Sequence, residues 1–212
     1  DGSVARIVEQ KDASPDEAAV SEVNAGMYVF AAAALREHLP QVGTANAQNE
    51  KYLTDTVALL RRAGRRVAAS VAKDPTVTYG VNDRVQLSEV GRLLNARTVR
   101  RWQLAGVTVL DPATTWIDVT ATLAPDVTVL PNTHILRATS IAEGATVGPD
   151  TSLVDCEVGR GATVTRTDAT LAVIGADATV GPFAYVRPGT ELGERGKIGT
   201  FVETKNSTIG EG

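Results

Sequence analysis

Four short segments in the first half of the chain concentrate side chains able to do chemistry. They are Val8-Glu9-Gln10-Lys11-Asp12-Ala13, Glu22-Val23-Asn24-Ala25-Gly26, Asn46-Ala47-Gln48-Asn49-Glu50-Lys51-Tyr52-Leu53-Thr54-Asp55 and Gly80-Val81-Asn82-Asp83-Arg84. Each places polar residues at a strand end or in a loop, which is where ligands sit in open α/β sheets. Taken singly, none is specific: Glu9 reads as a surface strand residue, Asn24 and Asn82 as turn formers. In the second half, Arg187 and Lys205 taken alone read as solvated surface cations. The two histidines, His38 and His134, both read as surface residues and are too few for a three-histidine zinc site. The single cysteine, Cys156, cannot form an internal disulfide. It has no His or basic cluster near it in sequence to activate a thiolate, so it reads as a small packing residue.

The elements that must position these residues differ between the two halves. In the second half, Ile117, Leu123, Val129, Ile135, Ile141 and Val147 recur every six residues, and Leu153 follows in step. Four residues after each of the first six stands a small or β-branched residue: Ala121, Val127, Thr133, Thr139, Ala145 and Thr151. After a slip the ladder resumes at Val158 and Val164, runs again through Ile174, Val180, Val186, Leu192 and Ile198, and ends with Ile209 out of step. A period of six is neither helical nor a simple alternation. It is the repeat of a parallel β-helix, whose narrow bore admits one bulky aliphatic per face of an eighteen-residue turn. Gly144, Gly148, Gly159, Gly175, Gly181 and Gly199 are expected at its corners.

In the first half, residues 3–10, 23–30 and 66–71 read as strands, and residues 31–38 and 52–63 as helices. Residues 11–19 read as a polar loop or short helix with Pro15 in its first turn. Leu53, Val57 and Leu60 mark the apolar face of the helix over 52–63. This pattern looks like the second half of an α/β domain. Residues 85–104 predict one long helix with a partial apolar stripe (Val85, Val90, Leu93, Leu94, Trp102) and, with Arg84 just before it, five arginines (Arg84, Arg92, Arg97, Arg100, Arg101) on its other faces, the pattern of a solvated linker. The expected organisation is thus an α/β half-domain over 1–84, a helical linker over 85–105 and a β-helix over 106–212.

Charge and composition narrow the function classes. The 212 residues carry a formal net charge of −4, with 43% hydrophobic residues. The acidic balance argues against a nonspecific nucleic-acid binder. No apolar run is long enough to span a bilayer and no secretory signal is present, so a cytoplasmic protein is expected. The sequence opens at Asp1 in a strand-like run and closes just after a hexad, and so reads as an internal part of a longer protein.

Taken in order, and followed by a helix and hexads, the four polar segments resemble the bacterial bifunctional N-acetylglucosamine-1-phosphate uridyltransferase/glucosamine-1-phosphate N-acetyltransferase family. Gly181-Pro182-Phe183-Ala184-Tyr185-Val186-Arg187-Pro188-Gly189 and Gly199-Thr200-Phe201-Val202-Glu203-Thr204-Lys205-Asn206 are similar to it as well. The resemblance covers the whole chain. It implies a nucleotidyltransferase α/β domain, a helical arm and a left-handed parallel β-helix that forms a homotrimer.

The resemblance also implies roles. Glu9 and Asn24 would bind the sugar of UDP-N-acetylglucosamine, with Tyr52 and Thr54 in the same pocket and Lys11 at a sugar-phosphate position. Asn82 would be a Mg²⁺ ligand and touch the nucleotide sugar. Arg187 and Lys205 would grip the phosphate of glucosamine 1-phosphate, which is acetylated by acetyl-CoA before uridylyl transfer from UTP to N-acetylglucosamine 1-phosphate. The family's Gly-rich phosphate loop and metal-binding aspartate fall before Asp1, and its catalytic histidine after Gly212, so these residues alone are expected to be incomplete for both reactions. Two positions depart from the family pattern: Asp83 stands for Asn, and Lys51 for an aromatic. A second reading is a single-activity sugar-1-phosphate nucleotidyltransferase whose β-helix only oligomerises. A third is a non-catalytic trimerisation module.

Overall fold

The computed structural model describes residues 4–212. The chain divides into two compact units, Asp1–Gly80 and Val81–Gly212.

The first unit is built on short helices. Pro15–Ala18 (α1) begins with a capping box: the Ser14 hydroxyl accepts from the Glu17 amide and the Glu17 carboxylate accepts from the Ser14 amide. Glu17 also ion-pairs with Arg6, and these contacts, the Ser14 backbone bond foremost, hold its carboxyl below the usual range. Ala32–His38 (α2) packs on Asp55–Arg62 (α3), burying Val42, Thr56, Val57 and Leu60. Leu53, expected on this apolar face, is instead 43% exposed. His38, expected at the surface, is only 4% exposed, and its Nδ1 lies 2.9 Å from the Ala34 carbonyl one turn back. A ring whose polar edge is met inside its own helix can be buried at little cost.

The strands expected over 3–10, 23–30 and 66–71 do not form among the described residues (Ser3 lies outside them). A strand persists only with a ladder partner for its amides and carbonyls. Here Val23, Met27 and Val29 are 80%, 73% and 102% exposed, so their alternation meets neither a sheet neighbour nor a core.

The second unit starts with Arg84–Leu104 (α4) and continues as a parallel β-helix of eighteen short strands, from β1 (Thr108–Val109), β2 (Trp116–Ile117) and β3 (Thr122–Leu123) to β18 (Thr208–Ile209). Each coil contributes one strand to each of three six-stranded parallel sheets. The hexad aliphatics point inward and stack: Val129 on Val147, Ile135 on Leu153, Ile141 on Val158. All six are at most 3% exposed. The small residues four places on are also inside, at the corners. Their threonine hydroxyls donate to carbonyls two or three residues back, as Thr133 does to Leu130 (2.7 Å) and Thr139 to Leu136 (2.7 Å). A buried hydroxyl is thereby satisfied locally, which explains why Thr is tolerated there beside Ala and Val.

The slip in the repeat is a shortening of the coil. Val164 stacks on Val180 and Leu153 on Ala169, each sixteen residues on rather than eighteen. Ala169, at 1% exposed, fills an aliphatic position that the hexad count passes over. Cys156 is fully buried with its Sγ 3.4 Å from the Val154 carbonyl, and burial pushes its thiol pKa up, as suits a packing residue.

The corners are not made by glycine alone. Asn132, Asp150, Arg166, Phe183 and Phe201 follow one another up one corner with φ between 45° and 60°. The left-handed region costs such residues about 1–2 kcal/mol each. Backbone bonds to the coil below offset this, as from Phe183 to Arg166 (2.7 Å) and Phe201 to Phe183 (3.1 Å). Of the six glycines expected at corners, Gly159, Gly175 and Gly199 do not need a left-handed φ. Gly175 is required for space, because a Cβ there would stand 2.6 Å from the Gly193 carbonyl carbon in the next coil. Gly175→Val is therefore expected to destabilise the β-helix by about 1–3 kcal/mol, read as a lower unfolding midpoint at unchanged m-value. An unchanged midpoint would show that these coils are not this closely stacked.

The helix α4 is not solvated on all sides. Its buried residues are Asn95, Thr98 and Val99, and they cover the first coil. Asn95 donates to the Thr115 carbonyl (2.8 Å) and accepts from the Ile117 amide (3.0 Å), so one buried amide satisfies two backbone groups at the mouth of the solenoid. Val85 and Leu94, expected on the apolar stripe, are 66% and 50% exposed. The helix thus serves as a solenoid cap.

Candidate functional site

Arg187 and Lys205 are brought together by coil register. The strand β14 (Ala184–Val186) pairs with β17 (Glu203–Thr204), matching Tyr185 with Glu203 and Val186 with Thr204. The Arg187 amide continues the ladder to the Thr204 carbonyl (2.9 Å), so Arg187 and Lys205 follow the paired strands at equivalent positions one coil apart. Alternation puts Val186 in the core and its neighbours Tyr185 and Arg187 outside. Arg187 Nη1 donates to Glu203 Oε1 at 2.7 Å, and its guanidinium carbon lies 5.8 Å from the Tyr185 ring centre. Lys205 is exposed.

This cluster can hold an anion. The Arg187 and Glu203 side chains are 37% and 57% exposed, and an ion pair in that setting is worth about 1 kcal/mol or less. A phosphate offering two oxygens to Arg187 and a third to Lys205 would outcompete it. Glu203 and Tyr185 carry no role in the sequence reading although both stand in the matched segments. They stand one eighteen-residue turn apart but face outward, off the aliphatic ladder that the spacing picks out. The same holds for Phe183 and Phe201, stacked at one corner with ring centres 5.6 Å apart and Arg166 5.8 Å from the Phe183 ring centre. His134 lies on the same outward column as Tyr185, three coils away through Ser152 and Asp168. At the spacing of neighbouring strands that is about 14 Å, too far for it to serve Arg187's ligand as a base.

The first-unit candidates occupy two loops. Glu9 is half-buried and caps a short 3₁₀ turn, Gln10–Asp12, through its carbonyl. Lys11, on that turn, donates to Gln48 Oε1 (2.9 Å), and Gln48 Nε2 donates to the Tyr52 hydroxyl (2.8 Å). Asp12 Oδ1 accepts from the Ala47 amide (2.8 Å), which ties the same two loops a second time. Thr54 is 7% exposed and its hydroxyl has no partner among the described residues. Asn24 is exposed and its Oδ1 accepts from the Gly26 amide (3.1 Å), the geometry of a turn former.

Asn82 belongs to the second unit, just before α4. Its amide groups both bond Gln86 Oε1, at 2.7 Å from the backbone and 3.2 Å from Nδ2. Asp83, which departs from the family pattern, is the N-cap of α4 and accepts from the Gln86 amide (2.8 Å), a task either Asp or Asn can perform. Among the described residues no group of three His, Cys, Asp or Glu converges to hold a metal. A lone amide oxygen is not a magnesium site, so these residues do not by themselves fit the ion. Nor is any described helix long and apolar enough to cross a membrane.

No protein-family model matches the chain. Among curated relatives, the bifunctional protein GlmU of Clavibacter sepedonicus is 62% identical over 212 residues, covering 100% of this chain and 43% of the relative. That of Kineococcus radiotolerans is 58% identical over 209 residues, 99% of this chain and 43% of the relative. That of Micrococcus luteus is 54% identical over 220 aligned residues, 100% and 44%. The chain therefore spans a little over two fifths of the length of the relatives it matches. Among solved structures, a mutant perosamine N-acetyltransferase from Caulobacter crescentus in complex with CoA and GDP-perosamine overlaps 71% of this chain and 82% of its own, at 18% identity and a TM-score of 0.34. Across several organisms, essentially every residue of this chain thus aligns with part of a bifunctional GlmU protein at better than one half identity.

Proposed function

We propose that the protein carrying this chain makes UDP-N-acetylglucosamine in the cytoplasm by two transfers. In this reading residues 1–84 are the C-terminal part of a uridyltransferase domain, 85–105 a helical linker and 106–212 the N-terminal part of an acetyltransferase β-helix that trimerises. The observation that carries the reading is the outward cluster of Arg187 and Lys205 on successive coils, inside segments that match the family.

In the acetyl transfer, the amine of glucosamine 1-phosphate attacks the thioester carbonyl of acetyl-CoA. A C–N bond forms, the C–S bond breaks, and the amine proton passes to a base while CoA leaves as its thiol. Arg187 and Lys205 hold the substrate's phosphate and so fix the amine's position. The Arg187 fork gives direction and Lys205 adds charge. Neither His38, buried against the Ala34 carbonyl, nor His134, three coils away, provides that base.

In the uridylyl transfer, an oxygen of N-acetylglucosamine 1-phosphate attacks the α-phosphorus of UTP and pyrophosphate leaves. Glu9, Asn24, Tyr52 and Thr54 would hold the sugar, and the unpartnered, buried Thr54 hydroxyl has a free donor for it.

The test compares the full-length gene product with the 212-residue chain. The full-length product is expected to acetylate glucosamine 1-phosphate and to form UDP-N-acetylglucosamine from UTP, and the shorter chain to do neither. Uridylyl transfer without acetyl transfer in the full-length product would favour the single-activity reading. Acetyl transfer by the 212 residues alone would overturn the assignment of the base outside them.

A further inference from the structure

We infer that Gln48 is a positioning residue, holding the Lys11 ammonium as an un-neutralised cation at the phosphate end of the sugar pocket. This inference rests on the uridylyl-transfer reading above. The two loops that carry the sugar-binding candidates, residues 9–12 and 46–52, are tied at two points. One is a backbone clamp, Asp12 Oδ1 to the Ala47 amide at 2.8 Å. The other is the string Lys11 Nζ–Gln48 Oε1–Gln48 Nε2–Tyr52 hydroxyl, at 2.9 Å and 2.8 Å. In that string the Gln48 amide works at both ends, accepting from a cation and donating to a phenol.

The choice of an amide matters electrostatically. A carboxylate at position 48 would hold Lys11 just as well but would cancel its charge. A neutral carbonyl orients the ammonium and leaves its charge available. Asp12, the nearest acid in sequence, is turned to the Ala47 amide, and among the described residues Lys11 has no ion-pair partner. Lys11 and Gln48 are exposed, so the bonds between them add little to stability. What they fix is where one unpaired positive charge stands relative to Tyr52. An oriented, unpaid cation beside a sugar-binding hydroxyl fits the phosphate monoester of a sugar.

The test is steady-state uridylyl transfer by the full-length gene product and its Gln48→Ala and Gln48→Glu variants, with acetyl transfer by the same preparations as a control on folding. Gln48→Ala is expected to raise KM for N-acetylglucosamine 1-phosphate about tenfold while leaving KM for UTP and acetyl transfer within about twofold of wild type. Gln48→Glu keeps the bond to Lys11 but neutralises it, and is expected to raise that KM further still. An unchanged KM in Gln48→Ala would overturn the assignment, and so would rescue to wild-type KM by Gln48→Glu, since that is the behaviour of a purely structural bond. Both results presuppose an active wild type. A wild type without uridylyl transfer would remove the proposed function and this inference together.

Discussion

Arg187→Ala in the full-length gene product is expected to lower kcat/KM for acetyl transfer to glucosamine 1-phosphate by about a hundredfold, mostly through KM for that substrate. Losing a bidentate, charge-assisted contact to phosphate costs up to about 3 kcal/mol, and each 1.4 kcal/mol is tenfold. The KM for acetyl-CoA should hardly move, because Arg187 reaches only the sugar phosphate in this account. Arg187→Lys should recover only part of the loss, since an ammonium lacks the planar fork. The fold should be indifferent: the ion pair removed, Arg187 to Glu203, is exposed and weak. A full-strength acetyltransferase with Arg187→Ala would mean that the cluster on β14 and β17 binds something other than the acetyl acceptor.

Leu153→Ala is expected to be the most damaging of the simple core truncations, costing about 3 kcal/mol. Leu153 is fully buried, with Ile135 in the coil before it and Ala169 in the coil after. The Ala169 side has no long side chain to swing into the space, so the cavity cannot collapse and the loss lies within the usual 2–5 kcal/mol for Leu→Ala, or roughly 10 °C in Tm. Val85→Ala, at a position 66% exposed on α4, should change stability by about 0.5 kcal/mol or less. Equal, small effects at both positions would show that Leu153 does not sit inside a stack.

Much of the β-helix was legible because its rule is one-dimensional. One bulky aliphatic fits per face, so the hexads announce themselves from Ile117 to Ile198 without any knowledge of tertiary contacts. What the spacing hid is what depends on coil length. Ala169 is a stacked core residue that a count of six misses, because shortened coils move the register. The contact between Arg187 and Glu203 was missed for another reason: Tyr185 and Glu203 are one regular eighteen-residue turn apart, but they face outward, off the aliphatic ladder.

In the first half the reverse holds. Local signals such as Pro15 and the helices over 31–38 and 52–63 came through within a few residues. The strands over 23–30 and 66–71 did not form because a strand is decided by its neighbours, and of these residues Ala68 alone makes an isolated β-bridge. The string through Lys11, Gln48 and Tyr52 joins residues 37 apart across two loops, and no local periodicity could have signalled it.

The chain returns on itself every sixteen to twenty residues, and eighteen at the coil that sets Arg187 beside Lys205. Cross-strand nuclear Overhauser contacts in the isotope-labelled protein test it most directly. Parallel-ladder contacts are expected between the backbones of Tyr185 and Glu203, of Val186 and Thr204, and of Val164 and Val180. Antiparallel contacts at these residues, or none between Val186 and Thr204, would contradict it.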